Sequence, residues 1–283
     1  MKLGLGTVQL GLNYGIANST GKPDRNLAAA ILQTAANGGI GCFDTAGSYG
    51  DSEEIIGQFI KESGVRPKIG TKFSACASAE RELQESLQRL GVDKLDYFLL
   101  HKPEQVFLPE FSQVIELLKH NPAVGKVGVS VYNVSEAEEC LKQNVQVIQI
   151  PFNIIDSRFI KGELLERAKY HGIELHARSI YLQGLLLCPA QGTCPPALTR
   201  LLHCLESLAK ELGISVKELC FLYVRDSVYI DRFFIGCETV EQVMDNLALH
   251  RLPELPGAFM SRVQQIFADV PDKILNPSLW QPN

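Results

Sequence analysis

The sequence predicts a closed barrel of eight parallel strands, each followed by a helix, the (β/α)8 or TIM-barrel class. Three observations support this prediction. The chain has 283 residues, and single barrels of this class are typically about 250 residues long. Short β-prone runs alternate with amphipathic helical segments from the first residues to residue 249. Eight such units can be counted, and strands that alternate with helices imply right-handed crossovers into a parallel sheet.

The predicted elements follow one another without a break. Strands are predicted at 3–6, 42–44, 68–72, 95–101, 125–129, 145–150, 174–177 and 232–235. Helices are predicted at 25–37, 52–61, 79–90, 109–119, 135–142, 161–171, 197–212, 216–224 and 240–249. Asp24 is a suitable N-cap for the first of these helices. No change of composition marks a linker, so we expect a single domain over residues 1–283, with the tail at 253–283 near one mouth of the barrel.

Composition excludes several classes of protein. Hydrophobic residues make up 46% of the chain and charged residues 21%, which is typical of folded globular proteins. The net charge of −5 gives no electrostatic basis for binding nucleic acid. No apolar run approaches the roughly 18 residues of a membrane span, and the glycine-broken N-terminus does not resemble a signal peptide, so a cytoplasmic location is expected. The eight cysteines form no C-x-x-C pair, so no metal site is predicted.

Polar residues at strand ends are the candidates for function, because barrels of this class carry their chemistry at the carboxyl ends of the strands. Asp44, Lys72 and His101 end the second, third and fourth predicted strands, and Tyr49 lies in the loop after Asp44. Each of these residues alone has an ordinary structural explanation, such as a turn, a solvated charge or packing. Their joint placement on one face points to catalysis.

The four residue types together suit the reduction of a carbonyl group. A free tyrosine has a pKa of about 10, too high for efficient proton donation at neutral pH. A nearby Lys72 ammonium would lower that pKa, and Asp44 would compensate the charge of the lysine. His101 could donate a hydrogen bond to the carbonyl oxygen. Since no metal-ligand spacing occurs, the hydride would come from an organic cofactor.

Four segments resemble the aldo-keto reductase superfamily. They are FDTAGSYG at 43–50 followed by Ser52 and Glu53, GTK at 70–72, LLHKP at 99–103, and GVS at 128–130. The resemblance runs from Gly4 to Asn246 in the family's order. It implies a barrel that binds NADP(H) across its mouth, with Tyr49 as the general acid and base, supported by Asp44, Lys72 and His101.

The resemblance also implies a set of cofactor-binding residues. Ser130 and Gln149 match positions that hold the nicotinamide carboxamide. Arg178 stands where many relatives have an aromatic residue stacked on the nicotinamide ring. Its guanidinium could stack on the ring, bind a substrate carboxylate or phosphate, or pair with a carboxylate at the barrel rim. The full implied set is Gly6, Thr7, Ser130, Gln149, Arg178, Gly184, Gly236, Glu238, Thr239, Gln242 and Asn246.

Glu238 leaves the choice of cofactor open. Relatives often place arginine or serine here, against the 2′-phosphate of NADP(H). A carboxylate would repel that phosphate and could accept hydrogen bonds from ribose hydroxyls, or it could point into solvent. In the same segment Gly236 and Thr239 would approach a phosphate, and Gln242 and Asn246 would face the adenine. NADP(H) is therefore expected by resemblance, with NAD(H) as the alternative.

The sequence says less about the substrate. The candidate pocket residues are Tyr14, Phe73, Tyr132 and Trp280, whose aromatic side chains suit an aldehyde or ketone of modest apolar size. The expected partner is thus a small carbonyl compound, and the expected assembly is a monomer or a small homo-oligomer. The alternative function is an NADP(H)-binding regulatory or sensor barrel with little turnover, because a fold alone does not guarantee chemistry.

Overall fold

The computed structural model describes residues 1–16, 18, 20–188 and 196–276 and contains a closed barrel of eight parallel strands. Each strand pairs with the next, and β1 pairs with β8 to close the barrel, with Gly6 opposite Gly236. The strands are β1 (Leu3–Gly6), β2 (Cys42–Asp44), β3 (Lys68–Phe73), β4 (Leu95–Leu100), β5 (Val124–Ser130), β6 (Val147–Pro151), β7 (Glu174–Arg178) and β8 (Arg232–Gly236). The predicted fold class is confirmed.

The helices surround the barrel. They are α1 (Val8–Gly11), α2 (Arg25–Asn37), α3 (Ser52–Ser63), α4 (Ala79–Leu90), α5 (Phe111–Lys119), α6 (Val134–Lys142), α7 (Leu164–Tyr170), α8 (Pro196–Leu212), α9 (Val216–Arg225), α10 (Val240–Leu249), α11 (Gly257–Ile266) and α12 (Asp272–Leu275). The Asp24 carboxylate caps α2 by accepting a hydrogen bond from the backbone N–H of Leu27 at 2.8 Å. The prediction missed α1, α11 and α12, and most other bounds agree within two residues.

The helix predicted at 161–171 is divided in the structure. A short 3₁₀ turn at Lys161–Glu163 precedes α7, because Gly162 and Glu163 adopt left-handed backbone angles with φ of 72° and 58°. A left-handed residue cannot continue a right-handed helix. The continuous helix was therefore a wrong prediction at its first turn.

Alternation along the strands places polar groups inside the barrel and apolar groups beneath the helices. Lys72 and Phe73, at the end of β3, point to opposite sides of the sheet wall, as neighbouring strand residues must. Phe73 is fully buried and packs on Phe98, with ring centroids 4.7 Å apart. Inside the barrel a small separate apolar cluster includes Tyr97 and Phe234. This cluster lies below the ends of the strands, where the polar side chains meet.

The tail runs along the outside of the barrel towards its mouth. The α11 residue Arg262 pairs with Glu211 of α8 at 2.6 Å. The hydroxyl of Ser157, in the loop after β6, donates to the backbone oxygen of Phe267 at 3.2 Å. The tail therefore passes beside a loop at the carboxyl end of the strands, and Trp280 lies outside the described residues. Within the ranges described, no helix has the length and apolar character to span a membrane.

Candidate active site

A cavity of about 300 Å³ opens at the carboxyl ends of the strands. It is lined by fourteen of the residues proposed from the sequence. These are Gly6, Thr7, Tyr14, Asp44, Tyr49, His101, Ser130, Tyr132, Arg178, Gly184, Gly236, Glu238, Gln242 and Asn246. The fold thus brings residues from both halves of the chain together in the wall of one cavity.

A buried ion pair lies beneath the cavity. The ammonium of Lys72, which is 2% exposed, contacts the Asp44 carboxylate at 2.7 Å and donates to the backbone oxygen of Thr45 at 2.9 Å. The other carboxylate oxygen of Asp44 accepts from the Gln149 amide at 2.9 Å. Burial lowers the pKa of Lys72, while the adjacent Asp44 carboxylate opposes that shift. The lysine is consequently held in one place by two acceptors.

Tyr49 is half-buried above this pair. The Lys72 ammonium lies 5.2 Å from the centroid of its ring, and the His101 ring meets it edge-on at 5.6 Å. Burial, and then the negative charge of Asp44, raise the pKa of Tyr49 well above its usual value. The sequence led us to expect a lowered pKa, but the charge of Lys72 is already paired with Asp44. Tyr49 is therefore protonated at neutral pH, which is the state that a proton donor requires.

His101 is neutral. Burial lowers its pKa to about 3, and the positive charges of Lys72 and Arg178 act in the same direction. Its Nδ1 lies 3.2 Å from the Ser48 hydroxyl. When that hydroxyl donates to Nδ1, the ring carries its proton on Nε2 and can donate it as a hydrogen bond. A neutral donor thus stands next to the Tyr49 ring.

Two glycines fix the loop that carries Tyr49. A Cβ on Gly11 would lie 1.7 Å from the backbone oxygen of Tyr49, so α1 packs directly against this loop. Gly50 has a φ of 56°, and a Cβ there would lie 2.4 Å from the backbone oxygen of Gly11. The Ser52 hydroxyl, at the start of α3, donates to the Thr7 hydroxyl at 2.9 Å. Sequence reasoning missed the role of Gly11, although a glycine facing a second glycine across a turn is a usable signal for close backbone approach.

The half of the cavity away from Tyr49 has polar atoms that fit an extended polar ligand. A Cβ on Gly236 would meet the Gln9 side chain at 2.1 Å, so only glycine permits Gln9 to lie across the end of β8. The buried Gln9 Oε1 and Asn246 Oδ1 have no hydrogen-bond partner among the described residues, and both residues line the cavity. Buried polar atoms are nearly always paired. These two unpaired oxygens therefore favour a polar ligand in this half of the cavity. The nicotinamide dinucleotide that the sequence implies is such a ligand.

Glu238 is half-buried on the cavity wall and does not point freely into solvent. Its backbone N–H donates to Gln242 Oε1 at 2.8 Å, and its carboxylate accepts from Gln242 Nε2 at 3.1 Å. Lys217, in the first turn of α9, lines the same cavity and pairs with Asp245 at 2.9 Å. Sequence reasoning missed Lys217, because helical periodicity does not reveal that an outer helix reaches the mouth of the barrel.

The loop after β7 has an unusual backbone. Ser179, Leu182 and Gln183 all have positive φ, between 50° and 60°. Such conformations cost on the order of 1–3 kcal/mol each and cluster at functional sites. The Gln183 backbone oxygen accepts from the N–H of Ile16 at 3.1 Å, so the loop after β1 crosses to the loop after β7 at the cavity.

Arg178 is held by several contacts at the end of β7. Its Nη2 donates to the backbone oxygen of Val131 at 2.9 Å, and its Nε donates to the Ser130 hydroxyl at 3.3 Å. Its Cζ lies 4.2 Å from the centroid of the Tyr132 ring. No carboxylate of the described residues forms a salt bridge with it within 4.0 Å. The interpretation of Arg178 as one half of a rim salt bridge is therefore wrong for this part of the chain.

Four described residues of the proposed site do not line the cavity, and one of them, Lys72, lies in the ion pair beneath it. Phe73 faces the helical layer, because its neighbour Lys72 occupies the interior direction of the strand, so its assignment to the substrate pocket was wrong. Gln149 is fully buried behind the wall, between Asp44 and the Ser130 hydroxyl at 2.9 Å. Thr239 uses its hydroxyl to cap α10 by accepting from the backbone N–H of Gln242. Trp280 lies outside the described residues.

Metal ligation has no candidate within the described ranges, where no group of three or more His, Cys, Asp or Glu side chains could hold an ion. The chemistry that the site can perform depends on a protonated Tyr49, a neutral His101 and the paired charges below them.

Comparison with known proteins identifies the family of the chain. Residues 2–268 match the model of the Aldo/keto reductase family. A glyoxal reductase of Bacillus subtilis (strain 168) is 31% identical over 172 residues, which cover 57% of this chain and 61% of that protein. An NADH-specific methylglyoxal reductase of Escherichia coli (strain K12) is 28% identical over 215 residues, which cover 65% of each chain. The matched segment thus spans less than two thirds of either relative.

The solved structures agree on the fold. A crystal structure of an aldo/keto reductase from Klebsiella pneumoniae, in complex with NADP and acetate, superimposes with a TM-score of 0.72. The two proteins are 21% identical, and the superposition covers 94% of this chain and 91% of that one. The family model covers nearly the whole chain. The chain therefore belongs to the aldo/keto reductase family.

Proposed function

We propose that the protein reduces an aldehyde or a ketone to an alcohol, with hydride from a bound nicotinamide dinucleotide and a proton from Tyr49. The observation that carries this proposal is the contact of Tyr49 with His101 and with the Lys72–Asp44 pair at the cavity. Tyr49 is protonated and half-buried at the cavity, next to a neutral His101 and above the Lys72–Asp44 pair. Membership of the family supports the same chemistry.

Each side chain has a defined part in this reaction. The hydroxyl of Tyr49 donates its proton to the carbonyl oxygen as negative charge develops there. His101 donates a hydrogen bond to the same oxygen and orients it. The positive charge of Arg178 lowers the pKa of Tyr49 and so favours the phenolate that forms there, while the ammonium of Lys72, 5.2 Å from the ring centroid, is paired with Asp44. Asp44 keeps that ammonium in position and compensates its burial.

Several residues would hold the cofactor, which supplies the hydride when bound. Ser130, with Gln149 behind it, would bind at the reacting end. Gly236 permits close approach of the backbone, while Gln9 and Asn246 offer unpaired acceptors. Gly6, Thr7 and Gly184 complete the wall.

NADP(H) is the cofactor expected from the family, and NAD(H) is the alternative that Glu238 favours. Both kinds of cofactor occur in the names of the similar proteins, since the Klebsiella pneumoniae structure contains NADP and the Escherichia coli relative is NADH-specific. The carboxylate of Glu238 on the cavity wall would repel a 2′-phosphate.

The substitution Tyr49→Phe tests the proposal. It removes the proton donor and leaves the ring in place. We expect kcat for carbonyl reduction to fall by about 10²–10⁴-fold, the usual contribution of a general acid, with the Kd of the reduced cofactor unchanged within about twofold. The matched control is Tyr170→Phe, because Tyr170 is 89% exposed and far from the cavity.

An unchanged kcat in the Tyr49→Phe variant would overturn the assignment of the acid. The same assays address the alternative of a sensor barrel. If the wild-type protein binds NADPH or NADH tightly and reduces none of a broad set of aldehydes and ketones, the sensor function is favoured over the enzyme.

We also propose that residues 1–283 form one domain that acts in the cytoplasm on a small carbonyl compound, as a monomer or a small homo-oligomer. The closed barrel and the match over residues 2–268 support the single domain. The net charge of −5 supports a small-molecule partner over nucleic acid. Light scattering after size-exclusion chromatography measures the assembly directly.

A further inference from the structure

The guanidinium of Arg178 is a fixed part of the cavity wall. Hydrogen bonds to the Val131 backbone oxygen at 2.9 Å and to the Ser130 hydroxyl at 3.3 Å hold two of its nitrogens. A third nitrogen contacts the Ser179 hydroxyl at 3.3 Å, and the Tyr132 ring covers one face at 4.2 Å. Arg178 thus extends from the end of β7, is hydrogen-bonded to the end of β5 and is stacked on an aromatic ring. A guanidinium held in this way does not move freely into solvent.

The positive charge of Arg178 has no carboxylate partner within the described ranges. The acid at this end of the cavity, Asp44, is engaged with Lys72 at 2.7 Å. The charge of Arg178 is felt at the reacting groups, since it contributes to the lowered pKa of His101 and opposes the raised pKa of Tyr49. A guanidinium stays protonated at any ordinary pH. Partly buried charges are normally paired, so a bound ligand is the natural source of the missing anion.

The geometry of the donors suits an anion with two oxygens. A guanidinium has five N–H groups, and three of them are used by Ser130, Val131 and Ser179. Two donors remain, enough for the paired hydrogen bonds that arginine makes to carboxylates and phosphates.

We propose that Arg178 binds an anionic group of the substrate, so that the preferred substrate is a carbonyl compound that also carries a carboxylate or a phosphate. The proposal rests on the carbonyl reduction described above. The hydride adds to the carbonyl carbon, the Tyr49 proton adds to the oxygen, and the reduced cofactor is oxidised. The anionic group does not change, and the product is the corresponding hydroxy acid or hydroxy phosphate.

The position of Arg178 favours the substrate over the cofactor as its partner. Its contacts are with Ser130, Val131 and Tyr132 at the end of β5, and its charge acts on Tyr49 and His101. This is the reacting end of the cavity. A nicotinamide ring becomes cationic on oxidation, so a neighbouring guanidinium gains no charge attraction from the ring. An anionic substrate compensates both charges.

Matched pairs of substrates test the proposal. We would measure kcat/KM for 4-carboxybenzaldehyde against methyl 4-formylbenzoate, and for glyceraldehyde 3-phosphate against glyceraldehyde. We expect the wild-type protein to favour the anionic member of at least one pair by about tenfold or more. The pair that shows this preference distinguishes carboxylate from phosphate.

Three variants locate the source of the preference. Arg178→Met should abolish it, and Arg178→Lys should retain part of it, since lysine keeps the charge but not the fork of donors. Arg81→Met is the matched control, because it removes a positive charge from the exposed face of α4 and should leave the preference unchanged. A wild-type protein without discrimination, or a preference that survives Arg178→Met, overturns the proposal.

A binding measurement gives a readout that does not depend on turnover. Fluorine NMR would follow 4-fluorobenzoate and 4-fluorobenzamide added to the protein, with and without NADP⁺. We expect the benzoate to bind more tightly, and Arg178→Met to remove that difference while the Kd for NADPH changes little, which also shows that the variant is folded. If Arg178→Met does not fold, Arg178→Lys and the wild-type selectivity for benzoate still decide.

The outcomes separate the two proposals. If Arg178→Met weakens NADPH binding and leaves benzoate binding intact, Arg178 serves the cofactor and the inference is wrong. If the wild-type protein reduces neutral and anionic aldehydes with the same kcat/KM, only the inference fails. If no aldehyde is reduced but benzoate binds through Arg178, the anion site stands and the proposed reduction fails.

Discussion

At the scale of single residues, His101 and Tyr49 illustrate how burial shapes the site. Burial disfavours the charged form of each group, which lowers the pKa of the histidine to about 3 and raises that of the tyrosine. The two residues are in contact, with ring centroids 5.6 Å apart. The site consequently combines a neutral hydrogen-bond donor with a protonated phenol over the whole physiological range.

This arrangement predicts a flat pH profile. Because the pKa of His101 is about 3, the ring stays neutral above about pH 5. Because the pKa of Tyr49 is raised, its proton is retained beyond pH 9. We expect kcat for reduction, at saturating cofactor, to vary by less than about twofold between pH 5 and 9. An inflection near pH 6.5 that disappears in His101→Asn would contradict the neutral state of the histidine.

The choice of cofactor is also decided at the residue scale. Glu238→Arg replaces a carboxylate on the cavity wall by a cation that attracts a 2′-phosphate. We expect the ratio of Kd for NADH to Kd for NADPH to rise by about tenfold or more, or about 1.4 kcal/mol. Glu241→Arg is the matched control, since Glu241 lies three residues further on, in the first turn of α10, but is exposed and does not line the cavity. If the ratio of the two Kd values were the same in both variants, residue 238 would not contact the ribose of the cofactor.

At the scale of secondary-structure elements, the short helix α1 determines the position of the Tyr49 loop. The contact is between backbones, with Gly11 on α1 facing the backbone oxygen of Tyr49. The hydroxyls of Thr7 and Ser52 then connect β1 to the start of α3. The loop that carries Tyr49 is thereby enclosed by elements that precede and follow it in the chain.

The substitution Gly11→Ala tests this role of α1. A Cβ 1.7 Å from the Tyr49 backbone oxygen forces the loop or the helix to move. We expect kcat to fall by about tenfold or more, since small displacements of a catalytic group are costly, and the melting temperature to decrease. Gly41→Ala is the control, because a Cβ there has no neighbour within 4 Å. A Gly11→Ala variant with wild-type kcat would show that α1 does not position Tyr49.

At the scale of the whole molecule, the fold could be predicted because its signal is local. Each βα unit carries its own change from strand to helix periodicity, and strand ends such as Asp44 and His101 follow from that count. The contribution of Lys217 and Gln9 could not be predicted, because it depends on how distant elements meet at the mouth. The direction of the Tyr49 pKa shift also depends on burial, which no spacing encodes. The inward direction of Lys72 does imply the outward direction of Phe73, so that error was avoidable.

The left-handed backbone angles in the loop after β7 have a consequence for engineering. Ser179, Leu182 and Gln183 occupy backbone angles that glycine or asparagine would adopt at lower cost. An engineer who screens for heat resistance would therefore change Gln183 first. That residue, however, forms part of the cavity wall, and its backbone receives the loop after β1. Thermal stability and ligand binding therefore place opposing demands on the same few residues, so a thermostable variant of this protein is better sought in the outer helices.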